Sequence, residues 1–213
     1  HNFEGMRLIK DWYDAGLTGE VREVHAWTGR TTRNSANAKK DFPAQPVPET
    51  LDWDLWLGPA AEIPYNETYC PSGWRWHWPF GSGGLGDIGC HTLDIPIYTM
   101  GLGYPSAVYM DNSIDFREEK KKKTPRPEGA TYVFEYPAGG NRPALNVYWY
   151  EGGRMPEFPV AVHNESPELK DVLSRGGCMM VGDKNTMLSP SMRAGKPKMV
   201  YNREEIREKQ PGG

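Results

Sequence analysis

Asp87, His91 and Asp94 fall at separations of four and three residues in the stretch GSGGLGDIGCHTLD, residues 81–94. On an α-helix these separations place all three side chains on one face, as a continuous polar stripe. A carboxylate and an imidazole one turn apart can share a substrate hydroxyl: one accepts its hydrogen bond while the other takes or returns the proton. The chemistry offered is general acid–base work. The residue types also allow a plainer assignment, with Asp87 capping the helix N-terminus and His91 a satisfied, half-buried histidine. A metal set of Asp87, Cys90 and His91 lacks the second spaced pair that a site of that kind needs.

The same stretch opens with G-x-G-x-x-G through Gly81, Gly83 and Gly86, a pattern that can bring backbone close to a pyrophosphate. That use requires a buried strand running into the glycines and a helix N-terminus facing the phosphates. The residues upstream are WRWHWPF. Pro79 cannot donate to a sheet ladder, Arg75 and His77 are rare in a central strand, and the Asp87 carboxylate would repel a phosphate at that helix end. A following helix and Asp111 at the end of the next strand favour the nucleotide; the missing strand weighs against it.

The elements that must position these groups follow from periodicity. Phe3, Met6, Ile9 and Tyr13 predict a helix ending near Gly16, and VREVHAWT, Val21 to Thr28, alternates as a strand. Residues 30–48 form a polar, proline-punctuated loop. Trp53, Trp56 and Leu57 follow a Thr50 or Asp52 cap and predict a short helical turn. Residues 65–80 are aromatic and irregular. A helix over 86–101 is closed by Gly101 and kinked at Pro96, with Leu85, Ile88, Thr92, Ile95 and Thr99 on its core side. Strands then follow at 106–110, 130–136, 144–150, 178–181 and 186–188, the last two joined by a turn at Asp183–Lys184–Asn185. Helix, strand, loop, helix, then strand after strand predicts an α+β domain: an open, predominantly antiparallel sheet with helices packed on one face.

Composition supports a folded domain. Eight Trp, eleven Tyr and six Phe in 213 residues suit one sizeable core, while 24 Gly and 19 Pro require many turns. A net charge of -3 gives no reason to expect nucleic acid or an anionic membrane as partner. The mixed-sign run from Arg117 to Glu128 is expected to be a solvated loop. Cys70, Cys90 and Cys178 form no C-x-x-C pair and are expected to be reduced thiols. Asn66-Glu67-Thr68 is a three-residue glycosylation pattern of low specificity. No internal repeat and no membrane-length apolar run occurs.

The segments EGMRLIKDWYDAGLTGEVREVHAWT, VPETLDWDLWLGPA, WRWHWPFGSGGLGDIGCHTLD and GLGYPSAV together resemble the C-terminal domain of the Gfo/Idh/MocA oxidoreductases, the glucose-fructose oxidoreductase and inositol dehydrogenase family. The resemblance covers nearly the whole chain. It implies a dihydrodipicolinate reductase-like open sheet used for substrate binding and homo-oligomerisation, and a separate N-terminal Rossmann domain that binds NAD or NADP. The family's D-x-x-x-H falls on Asp87 and His91: His91 would be the general acid or base on a sugar or polyol hydroxyl, and Asp87 would position the substrate. Arg75 and Trp78, with Asp94, would line the substrate pocket. The aromatics around them could equally close a small core.

The family's nucleotide fingerprint and its E-K-P lysine would lie upstream of His1. Residues 1–213 are therefore expected to be a single domain, a fragment of a longer chain, that neither binds the nicotinamide nor transfers hydride alone. A cytoplasmic setting is expected, with export left open by the N-terminus. Two alternatives of other classes stay open: a freestanding carbohydrate-binding or assembly module, and a cofactor-independent keto-sugar lyase or isomerase.

Overall fold

The computed structural model describes residues 3–29, 42–77, 79–111, 129–159, 162, 173 and 175–201. The charged run from Arg117 to Glu128 and most of the loop after Arg30 lie outside the described residues.

Helix α1, Glu4–Asp14, turns Met6 and Ile9 inward, as their spacing requires, and leads into strand β1, Val21–Thr28. Helix α2, Trp53–Leu57, starts at an N-cap that the sequence left between two residues: Asp52 accepts from the Leu55 backbone N–H at 2.9 Å. A 3₁₀ turn over Gly73–Trp76 follows.

The expected helix over 86–101 is two helices, α3 at Gly83–Thr92 and α4 at Asp94–Met100. Leu93 between them keeps right-handed dihedrals (φ -72°, ψ -20°), so the chain bends without reversing. Pro96 supplies the reason for the break. It is the third residue of α4, within the first turn, where its missing N–H costs no helical hydrogen bond. Gly101 closes α4 in the left-handed region at φ +60°, as predicted.

The remaining strands are β2 Ala107–Met110, β3 Ala130–Tyr136, β4 Leu145–Glu151, β5 Gly176–Gly182, β6 Asn185–Ser189 and β7 Lys198–Tyr201. They form one seven-stranded sheet in the order β2-β3-β4-β1-β5-β6-β7. Every neighbouring pair is antiparallel except β1 and β4 at the centre, where Val24 lies opposite Val147 in a parallel ladder. A parallel neighbour needs a crossover connection, and here the crossover contains α2, α3 and α4. Sequence reading did not find β7, a four-residue edge strand behind Pro197 with Val200 as its buried residue.

The helices pack on one face of the sheet. Met6 and Ile9 of α1 and Ile95 and Met100 of α4 join Val24, Leu145, Val147 and Met180 in the larger core. Beside it, Ile88 of α3 rests on Ala26 and Trp149. Of the core-facing stripe expected for this segment, Ile88, Thr92, Ile95 and Thr99 are buried and Leu85 is half-buried.

The period of two along β4 separates Tyr148 and Tyr150 from Trp149. The two tyrosines lie on the face away from the helices, while Trp149 is fully buried on the helix side. Of the three neighbouring aromatics, only Tyr148 and Tyr150 can therefore enrich that face. One half of that opposite face is covered: Trp27, Met179, Leu188 and Val200 pack with Met155, Phe158, Val162 and Leu173, and Trp27 Nε1 donates to the Leu173 carbonyl at 2.7 Å.

On the other half, His25 stacks against Tyr148 and Tyr150 at ring separations of 5.2 and 5.9 Å, and its Nδ1 is hydrogen-bonded to Tyr150 Oη at 2.9 Å. Burial holds His25 below its ordinary 6.5, against the opposing pull of Glu23, whose carboxylate is 3.6 Å from Nε2. A histidine depressed in this way is neutral in the fold while the unfolded chain takes up a proton. Stability therefore falls as pH drops through 6.5 and levels off below the folded pKa. Thermal melts across that range should show this acid-side loss in the parent and a flatter dependence in His25→Gln. Identical pH slopes would exclude His25 as its source.

Candidate functional site

The aromatic segment before the glycines builds the floor of the site. Trp53 stacks on Trp56 (4.7 Å), Phe80 packs edge-on against Trp56 (4.9 Å), and Tyr69 takes the edges of His77 and Phe80 (4.9 and 5.3 Å). His77 is a buried member of this cluster. So the aromatics do close a small core of their own, and the 3₁₀ turn that carries Arg75 stands on it.

Two glycines set that turn against its surroundings at backbone distance. A Cβ at Gly73 would strike the Thr68 carbonyl, and a Cβ at Gly81 would lie 2.6 Å from both the C and the Cα of Arg75. Gly81 thus brings the chain back against the backbone of Arg75 just before α3 begins. A Gly81→Ala variant should lose about 1–3 kcal/mol from this overlap, read by denaturant unfolding. Unchanged stability would show that the turn can relax without cost.

Arg75 Nε donates to Asp87 Oδ1 at 3.0 Å, Nη1 donates to the Ser72 carbonyl at 3.2 Å, and the guanidinium lies 4.6 Å above the Trp74 ring. Asp87 stands in the second turn of α3, because the helix begins at Gly83 rather than at Gly86. It is therefore not an N-terminal cap: it binds a side chain from another segment. His91, one turn further along, is exposed, as is its neighbour Cys90. Asp94 is the first residue of α4 and half-buried, so the polar stripe runs across the Leu93 bend from one helix to the next.

The structure thus brings Arg75 and Asp87 into contact, keeps His91 one turn from Asp87 and sets Asp94 beyond a bend. Trp78 lies outside the described residues. Sequence reading missed the parts played by Trp74 and the Ser72 carbonyl; the WRW spacing was the available signal, since a guanidinium beside two indoles is placed to stack on one.

The glycine pattern does not fit a dinucleotide. The segment running into it holds a 3₁₀ turn, Gly81 abuts Arg75, Gly83 and Gly84 are buried, and a Cβ at Gly86 would fall on Ser82 Oγ. The close approaches these glycines permit are internal. Among the described residues no group of three or more His, Cys, Asp or Glu side chains is placed to hold a metal ion, and no helix is long and apolar enough to cross a membrane. The Asn66 sequon is turned inward: Asn66 is buried and its Nδ2 donates to the Pro43 carbonyl at 3.0 Å.

Residues 6–126 match the family model described as the oxidoreductase family, C-terminal alpha/beta domain, of Gfo/Idh/MocA type. A search of curated proteins returned no match. Among solved structures, the WlbA dehydrogenase from Bordetella pertussis, in complex with NADH and UDP-GlcNAcA, aligns with 97% of this chain and 46% of its own at 12% identity and a TM-score of 0.46. A levoglucosan dehydrogenase, in complex with NADH and levoglucosan, aligns with 92% of this chain and 40% of its own at 15% identity and a TM-score of 0.44. The chain spans less than half the length of either structure.

Proposed function

The chain belongs to the Gfo/Idh/MocA oxidoreductase family as a C-terminal alpha/beta domain, and on that premise we propose that it is the substrate-binding and assembly half of an NAD(P)-dependent dehydrogenase acting on a hydroxyl of a sugar or polyol. The observation that carries this reading is the stripe on α3: an exposed imidazole one turn from a carboxylate that Arg75 holds in place. His91 takes the hydroxyl proton as the carbonyl forms and returns it in the reverse direction. Asp87 accepts a hydrogen bond from a substrate hydroxyl, and Asp94, with Trp78 as a further proposed contact, receives the rest of the sugar. A nicotinamide on a separate Rossmann domain, outside residues 1–213, would supply the hydride acceptor. Assembly uses the half of the sheet face around His25 and Tyr148, where Tyr109, in register with them through Val133, is exposed and a second copy can pack; light scattering that finds only monomers would argue against it.

The test is made on a longer polypeptide that joins residues 1–213 to a Rossmann domain, supplied with NAD or NADP and a panel of neutral sugars and polyols. Nicotinamide reduction with one of them is expected, and none with any would overturn the reading. In parallel, NADH titrated into the 213-residue chain should show no micromolar binding. Turnover of a keto-sugar by this chain without nicotinamide would favour the lyase or isomerase alternative instead.

A further inference from the structure

We propose that Arg75 serves the reaction through Asp87, as a positioning residue that fixes one carboxylate oxygen and leaves the other to receive the substrate. The inference rests on the acid–base reading of Asp87 and His91.

Three contacts that do not lie on one line hold the guanidinium: Asp87 Oδ1, the Ser72 carbonyl and the face of Trp74. An arginine that grips a substrate carboxylate presents two nitrogens side by side, either Nε with one terminal nitrogen or the two terminal nitrogens together. Here Nε is engaged by Asp87 and Nη1 by Ser72, so each two-nitrogen face has a member already in use. Swinging the group toward a ligand would break at least one of these bonds and the stacking on Trp74.

The backbone reinforces the side chain. Gly73 against Thr68 and Gly81 against Arg75 leave this turn little room to shift, so the guanidinium is presented to α3 from a packed support. Arg75 and Asp87 keep 36% and 28% of their side-chain surface, so the pair adds little to stability by charge attraction. What it supplies is direction. With Oδ1 taken, Oδ2 has no partner among the described residues, and it sits on the same helix face as His91. Holding a carboxylate in one orientation, before substrate arrives, spares the ordering that productive binding would otherwise require.

A double-mutant cycle in the longer polypeptide tests this, with kcat/KM measured for a neutral polyol and for a uronate of the same stereochemistry. Arg75→Gln alone should lower kcat/KM roughly ten- to a hundredfold for both substrates. In an Asp87→Asn background it should change kcat/KM by no more than about twofold, because a residue acting only through Asp87 has nothing left to act on. A further tenfold loss in that background, or a loss confined to the uronate, would make Arg75 a direct substrate ligand and overturn the proposal.

A second readout needs no turnover. In the 213-residue chain the Arg75 Nε–H resonance should move in Asp87→Asn, and a resonance that stays in place would equally overturn it. Should the parent polypeptide oxidise no sugar or polyol, the dehydrogenase reading falls while this resonance still decides whether Arg75 holds Asp87.

Discussion

If residues 1–213 serve the proposed dehydrogenase, replacing His91 with alanine is expected to lower its turnover by about a hundredfold or more, the usual contribution of a positioned general acid or base. Because His91 is exposed on α3 and lies outside the core clusters, the loss should appear in kcat with the melting temperature almost unchanged. This separation matters. A core histidine would lose both together, whereas an imidazole that meets only substrate loses activity alone. Turnover equal to that of the parent would remove His91 from the chemistry and leave α3 a structural helix.

The largest expected effect on stability lies beneath that helix. Trp149 is fully buried, packs with Ala26 and Ile88, and its Nε1 donates to Glu151 Oε2 at 3.0 Å. Trp149→Ala should cost about 3–5 kcal/mol by lost transfer energy and the cavity left behind. For a domain of this size that corresponds to a fall in Tm of roughly 6–20 °C. Ile88 is one residue from Asp87, so the same cavity removes the support of the turn that carries the carboxylate. Trp149→Phe keeps most of the apolar volume and should lose much less. A calorimetric loss below about 1 kcal/mol in the alanine variant would mean that α3 does not rest on this side chain.

These two expectations divide the molecule into what its pattern shows and what it hides. The strand at Val21–Thr28 was legible because β-branched and aromatic residues alternate there, and helix α1 because its apolar residues recur at helical spacing. A kink in the site helix was legible as well, since Pro96 lacks the N–H that an unbroken helix would use, although the break falls three residues earlier, at Leu93. Its form was not, because whether a proline bends a helix or begins a new one depends on what packs around it. The parallel pairing of β1 with β4 was hidden for a similar reason: alternation identifies strands without naming their neighbours.

At the site, the sequence by itself determined that Asp87 and His91 share a helix face, a consequence of local helical geometry that survives the shift of the helix start from Gly86 to Gly83. It also determined that the glycines permit an unusually close approach, since only residues without a Cβ allow one. Tertiary structure decided what makes that approach. It is the backbone of Arg75, folded back from the 3₁₀ turn, rather than a phosphate. It decided, too, that Asp87 answers to Arg75 and not to its own helix N-terminus, a contact between residues on separate segments that depends on how the turn stands on its aromatic floor. Local spacing fixes which groups share a surface. Which partner each group meets there depends on long-range packing, which no single stretch of chain encodes.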